Sequence, residues 1–142
     1  MVSRGWSTIL FNLAPHTFYF IENQTLSTNP HDQLPFSESA DIIIKHVSDG
    51  VKLAKEHNLP DELIDFIKTH HGTTAVEYFY KQVVSSFPNQ QIDIDKFTYP
   101  GPKPFSKETA VLMMADSVEA AARSLKNPDK DSIDSIVDSI IN

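Results

Sequence analysis

Ser37-Glu38-Ser39-Ala40-Asp41-Ile42-Ile43-Ile44-Lys45-His46-Val47-Ser48-Asp49-Gly50-Val51-Lys52-Leu53-Ala54-Lys55-Glu56-His57 is the stretch on which the fold turns. Its apolar residues recur at Ile43, Val47, Val51 and Ala54, with Ile44 and Leu53 flanking. Steps of three and four place such residues on one face of an α-helix, where a strand would need alternation. Ser37 is a good N-cap, with acidic Glu38 behind it at the positive end of the helix dipole. Leu59-Pro60 ends the helix near His57.

The same spacing returns downstream. Asp61 caps a shorter helix through Leu63, Ile64, Phe66 and Ile67 to about Thr69, and Gly72 stands where a helix stop belongs. Thr73 or Thr74 can cap the next helix, through Val76, Tyr78, Phe79, Val83 and Val84. Phe87 to Phe105 is a long connection with Pro88, Pro100, Pro102 and Pro104; loops of this length inside a domain are often functional or mobile. Ser106 caps a helix from Lys107 to about Lys126, stopped by Asn127-Pro128, with Ala110, Met113, Met114, Val118 and Ala121 along it. Asp131 or Ser132 opens a final helix with Ile133, Ile136, Val137, Ile140 and Ile141 on one stripe.

Before Phe36 the pattern is broken by Pro15, Pro30 and Pro35; a short helix near Ser7 to Asn12 and then ordered loop are expected, with Asn29-Pro30-His31-Asp32 as a turn. Five helices without a convincing strand predict an all-α fold, a helical bundle.

The 142 residues suit one domain with a modest core. A formal net charge of -7 repels the backbone of polymeric nucleic acid, while leaving room for a local positive patch that takes a small anion. With no cysteine, disulfides and thiolate zinc sites are excluded, so a metal must bind through imidazole and carboxylate. That donor set suits iron, manganese and zinc. No stretch approaches the about 18 apolar residues of a membrane span. Trp6 to Ala14 is too short for one and lacks a signal peptide's cleavage region.

Four residues stand out chemically. His46 lies in the first long helix near its apolar stripe, His70 and His71 are adjacent where a helix ends in glycine, and Asp116 lies mid-helix among small and apolar residues. Taken singly, each has an ordinary explanation. His46 suits a hydrogen-bonded core histidine, and His70 and His71 point different ways from a regular helix. Asp116 could pair with Lys45, Lys107 or Arg123, and Glu119 with Arg123 is a common surface pairing. Taken together, neutral imidazoles and a carboxylate on successive helices are the donors of a non-thiolate metal site. A buried carboxylate is costly unless paired or bound to metal.

Longer strings narrow the reading. Lys45-His46-Val47-Ser48-Asp49-Gly50, Leu53-Ala54-Lys55-Glu56-His57-Asn58-Leu59-Pro60, His70-His71-Gly72-Thr73, Tyr78-Phe79-Tyr80, Tyr99-Pro100-Gly101-Pro102-Lys103-Pro104 and Ala115-Asp116-Ser117-Val118-Glu119-Ala120-Ala121 occur in order. So do Phe20-Ile21-Glu22-Asn23-Gln24 and Asn29-Pro30-His31-Asp32. Over roughly residues 18–126 the chain resembles the cytoplasmic HD domain of the bacterial seven-transmembrane HD phosphodiesterases, which hydrolyse cyclic di-AMP.

The resemblance implies an HD-domain helical bundle with divalent metal ions, iron or manganese, two in that family. It makes His46, His70, His71 and Asp116 the metal ligands, with Asp116 and His71 catalytic, and cyclic di-AMP hydrolysis to linear pApA the reaction. Lys103 becomes a phosphate contact, beside its reading as a solvated lysine. Tyr78 and Tyr80 become base-stacking residues, beside a core role for one of them. It also implies a cytoplasmic location and a cyclic dinucleotide as the small-molecule partner.

The chain departs from the family at residues 1–17. The family places a further histidine ligand and a His-Asp dyad before the Phe-x-Glu-Asn-Gln string. Here the stretch reads Ser7-Thr8-Ile9-Leu10-Phe11-Asn12-Leu13-Ala14-Pro15-His16, without a dyad. His31-Asp32 matches the later turn and is given no ligand role. The chain thus reads as a single, N-terminally truncated HD domain, with residues 129–142 as its C-terminal helix. Two functions stay open: a phosphodiesterase domain, or a degenerate one that binds metal or nucleotide, or pairs with a second copy over core surface that the missing helices would expose.

Overall fold

The computed structural model describes residues 30–123, 125 and 128–142. The expected helix at Ser7–Asn12, His16, the Phe20–Gln24 string and Asn127 lie outside them. The described helices are α1 (Phe36–Glu56), α2 (Asp61–Thr69), α3 (Glu77–Ser86), α4 (Lys107–Arg123) and α5 (Lys130–Ile141), with 3-10 turns at Pro30–Gln33 and Ile94–Phe97. Strand-like pairing among the described residues is a lone antiparallel bridge between Ala75 and Thr98. The fold is all-α, as the apolar spacing predicts.

Helix starts differ from expectation for physical reasons. α1 begins two residues early, with Pro35 in the cap position and its carbonyl accepting from the Ser39 N–H at 3.0 Å. The earlier start carries Phe36 into the core beside Ala40 and Phe79. α2 likewise takes its cap from Pro60, making Asp61 its first residue. α3 starts at Glu77, after the expected Thr73 or Thr74. The Val76 N–H donates to the Phe97 carbonyl at 2.7 Å and the Tyr99 N–H to the Thr74 carbonyl at 2.9 Å, so residues 74–76 are held in the bridge and the helix starts only after it. α5 is capped by Asp129, whose carboxylate accepts from the Ser132 N–H at 2.9 Å while the Ser132 hydroxyl accepts from the Asp129 N–H at 3.1 Å. Ser106 caps α4 as expected, its Oγ accepting from the Thr109 N–H at 3.2 Å.

Two apolar clusters hang on α1. Toward its N-terminus, Ala40 packs with Phe79 of α3 and Phe97, joined by Phe36, Ile43, Val76, Tyr80, Val83 and Ile92. Toward its C-terminus, Ala54 packs with Ile64 and Ile67 of α2, joined by Val51 and Leu59. Full burial of a side chain such as Phe79 or Ile67 is worth about 1.5–3 kcal/mol. α2 also packs on α4, and α4 on α5. His46 therefore lies on α1 between the two clusters, in a backbone fixed from both sides. Among the described residues, no helix is long and apolar enough to cross a membrane.

Candidate metal centre

α1 places the His46 ring so that its Nδ1–H donates to the Ile43 carbonyl, one turn back. His70 follows the last turn of α2, and its Nδ1–H donates to the Ile67 carbonyl at 2.8 Å. A carbonyl can only accept, so each bond assigns the ring's proton to Nδ1 and leaves Nε2 with a bare lone pair. The two Nε2 atoms lie 3.0 Å apart.

Adjacent residues on a regular helix would diverge, yet the His70 and His71 rings lie side by side. α2 has ended at Thr69, and Gly72 turns the chain with φ +53°. The two rings then lie with centroids 4.0 Å apart, and His71 meets His46 edge-on at 4.9 Å. One ligand atom from each of His46, His70 and His71 lies within 4.8 Å of the others. The packing of α2 on α4 brings Asp116 in, its Oδ2 3.5 Å from His71 Nδ1. All four residues singled out in the sequence thus meet.

Burial depresses all three histidines. His46 falls to about 4, through burial and then the neighbouring His70. His71 falls to about 2, through burial and then His70 and His46. His70 is lowered by burial. At neutral pH the rings are uncharged, so His71 and Asp116 do not form an ion pair. At 3.5 Å their contact is also too long for a hydrogen bond.

The donor chemistry fits a divalent cation. Two lone pairs facing each other at 3.0 Å repel unless a proton or a cation lies between them, and both ring protons are committed to carbonyls. Two imidazole nitrogens each about 2.1 Å from a shared ion can stand at most about 4.2 Å apart, so the pair at 3.0 Å would be within reach of one cation. The carbonyl bonds are the outer partners that orient metal-bound imidazoles.

The sequence reading missed Tyr99. It is 7% exposed, stacks nearly flat on His71 with centroids 4.3 Å apart, and meets His46 edge-on at 5.9 Å. Burial, then the Asp116 charge, pushes its hydroxyl above the ordinary tyrosine range. The residue stood inside the quoted proline-rich string, but nothing local marks a loop tyrosine as packing on a distant histidine.

Lys103 is exposed, in the loop whose Gly101 and Pro104 lie against the histidine turn. Tyr78 is 62% exposed on α3, its ring contact being with Phe79, whereas Tyr80 packs edge-on against Phe97 in the core. His31 is buried against Phe79, on the far cluster.

No family model matches the chain. It is 46% identical over 123 residues to the cyclic-di-AMP phosphodiesterase PgpH of Bacillus subtilis, a match covering 87% of this chain and 17% of that protein. It resembles the crystal structure of the Listeria monocytogenes PgpH HD domain with a TM-score of 0.78 and 42% identity, over 87% of this chain and 56% of that one. Against the same domain in complex with cyclic-di-AMP the TM-score is 0.80 and the identity 43%, over 87% and 57%. The chain spans 17% of the length of the curated PgpH relatives from both organisms.

Proposed function

Because this chain is homologous to the HD domain of the PgpH cyclic-di-AMP phosphodiesterases, we propose that it is a metal-dependent phosphodiesterase domain acting on a cyclic dinucleotide. The specific reaction is cleavage of cyclic di-AMP to linear pApA, on the cytoplasmic side of the membrane. The observation that carries the reading is the pair of bare Nε2 atoms on His46 and His70, 3.0 Å apart.

His46, His70, His71 and Asp116 would hold the ion, iron or manganese. A divalent ion there supplies Lewis acidity toward a phosphate and activates water near neutral pH. The protein's own part is orientation and charge. The Ile43 and Ile67 carbonyls fix two imidazoles, burial keeps all three neutral and able to donate, and Asp116 brings the negative charge that offsets a cation. Lys103 sits on the exposed loop beside the histidine turn, where an anionic substrate would arrive, and Tyr78 offers an exposed ring for a base.

Purified chain incubated with cyclic di-AMP and Mn²⁺ or Fe²⁺ should yield pApA, and Asp116→Ala should not. Equal product from the two, or none from either, overturns turnover by this chain. A second reading, nucleotide and metal binding without turnover, is favoured by the donor count. Among the described residues one group of three histidines could hold an ion, and the family uses two ions. Two tightly held metals per chain would contradict it.

A further inference from the structure

The segment from Phe97 to Pro104 lies across the histidine turn. Its backbone pairs there through Val76 N–H to the Phe97 carbonyl at 2.7 Å and Tyr99 N–H to the Thr74 carbonyl at 2.9 Å. Gly101 approaches so closely that a Cβ there would stand 3.1 Å from Thr73 Cγ2. Pro104 Cδ and the Met113 thioether both lie about 3.4 Å from where a Gly72 Cβ would be. Met113 is one turn before Asp116 on α4. The strap therefore packs on the turn that carries His70 and His71, and Gly72 of that turn is flanked by Pro104 of the strap and Met113 of the helix that carries Asp116.

Tyr99 is where this strap meets the site. His46 and His70 have their ring planes fixed by hydrogen bonds to carbonyls. His71 lies in the turn after α2, and its Nδ1 faces Asp116 at 3.5 Å rather than a carbonyl. Beside the neighbouring His70 and His46 rings, the His71 ring is flanked by the Tyr99 face, which lies at 4.3 Å and 21° from parallel, the flattest of its ring contacts. We infer that Tyr99 is a positioning residue that orients the His71 imidazole toward Asp116 by face stacking. It does for His71 what the Ile43 and Ile67 carbonyls do for the other two rings. The inference rests on the metal-site reading for its consequence, since misorienting one ligand weakens the ion's hold. Its geometric content stands without any metal.

The test uses Tyr99→Phe, which keeps the flat ring, and Tyr99→Leu, which keeps bulk and apolarity but not the ring face. Zn²⁺ or Mn²⁺ titration should give Tyr99→Phe within about twofold of the parent chain, and Tyr99→Leu weaker by about 10–100-fold, the range for losing an outer partner of a metal-bound histidine. Leu matching the parent, or Phe as weak as Leu, overturns the inference. NMR of the metal-free parent chain supplies a readout independent of the variants' folding. A ring stacked on His71 shifts its ring protons upfield, and His71 resonances at ordinary positions would equally overturn the inference. No metal uptake by the parent, with the upfield shift present, would sink the metal-site reading and leave the positioning role standing.

Discussion

His46 Nε2 and His70 Nε2 face each other at 3.0 Å, and each ring has committed its only proton to a carbonyl of its own helix. Helix geometry alone gives no reason to hold two lone pairs so close. Adding a divalent ion should relieve the repulsion and stabilise the fold. At a free metal concentration a hundred times Kd, binding adds about 2.7 kcal/mol, which for a chain of this size raises Tm by roughly 10 °C. His46→Ala or His70→Ala should abolish most of that rise, as differential scanning fluorimetry with and without Mn²⁺ or Zn²⁺ can read. A metal-induced shift that survives in both variants would place the ion elsewhere.

The metal-free protein should lose stability as pH falls through the histidine range. Unfolded histidines titrate near about 6.5, while folded His46 is held to about 4, with His70 and His71 also lowered. Below pH about 6.5 the unfolded state therefore binds more protons than the folded one, and stability falls with pH. The contribution is fully present above pH 6.5 and is lost progressively toward the folded values. Tm measured in chelator should be level from pH 8 to 7 and drop between 6.5 and 5, above the carboxylate range. His46→Gln should flatten that drop, and a Tm rising over the same window would contradict the burial of these rings.

Asp116 separates charge from shape. Its carboxylate is the one negative group among the four residues and faces His71 at 3.5 Å. Asp116→Asn keeps the volume and one oxygen but removes the charge that offsets a cation. Metal affinity should fall at least about tenfold, the lower end of what outer-partner losses alone produce. The folded chain should remain, by circular dichroism, as stable as the parent in chelator. Unchanged affinity would make Asp116 a bystander.

What was legible in the sequence follows from the range of each interaction. α1 could be read because Ile43, Val47, Val51 and Ala54 share a helical face, a local periodicity that needs no tertiary knowledge. His46, His70, His71 and Asp116 could be picked out because imidazoles and a carboxylate fell on successive helices within strings of known pattern. The start of α3 could not be read from Thr73 and Thr74, because the Val76 N–H is taken by Phe97 from across a loop. Tyr99 escaped for the same reason: its partner His71 lies far back along the chain, and tertiary contacts such as the bridge between Ala75 and Thr98 set it there.

The two glycines under the strap should differ in cost when replaced by alanine. Gly72 has φ +53° and Gly101 φ +82°, both in the region where a Cβ costs about 1–2 kcal/mol. At Gly72 the new methyl would meet Met113 and Pro104 at an ordinary 3.4 Å, so Gly72→Ala should lose about that backbone cost alone. At Gly101 the methyl would stand 3.1 Å from Thr73 Cγ2, so the Thr73 side chain or the strap must give by a few tenths of an ångström. Gly101→Ala should therefore destabilise more in urea unfolding. It should also weaken metal binding beyond what Gly72→Ala does, because the strap carries Tyr99. If Gly72→Ala proved the costlier of the two, the close approach at Thr73 would not be what seats the strap.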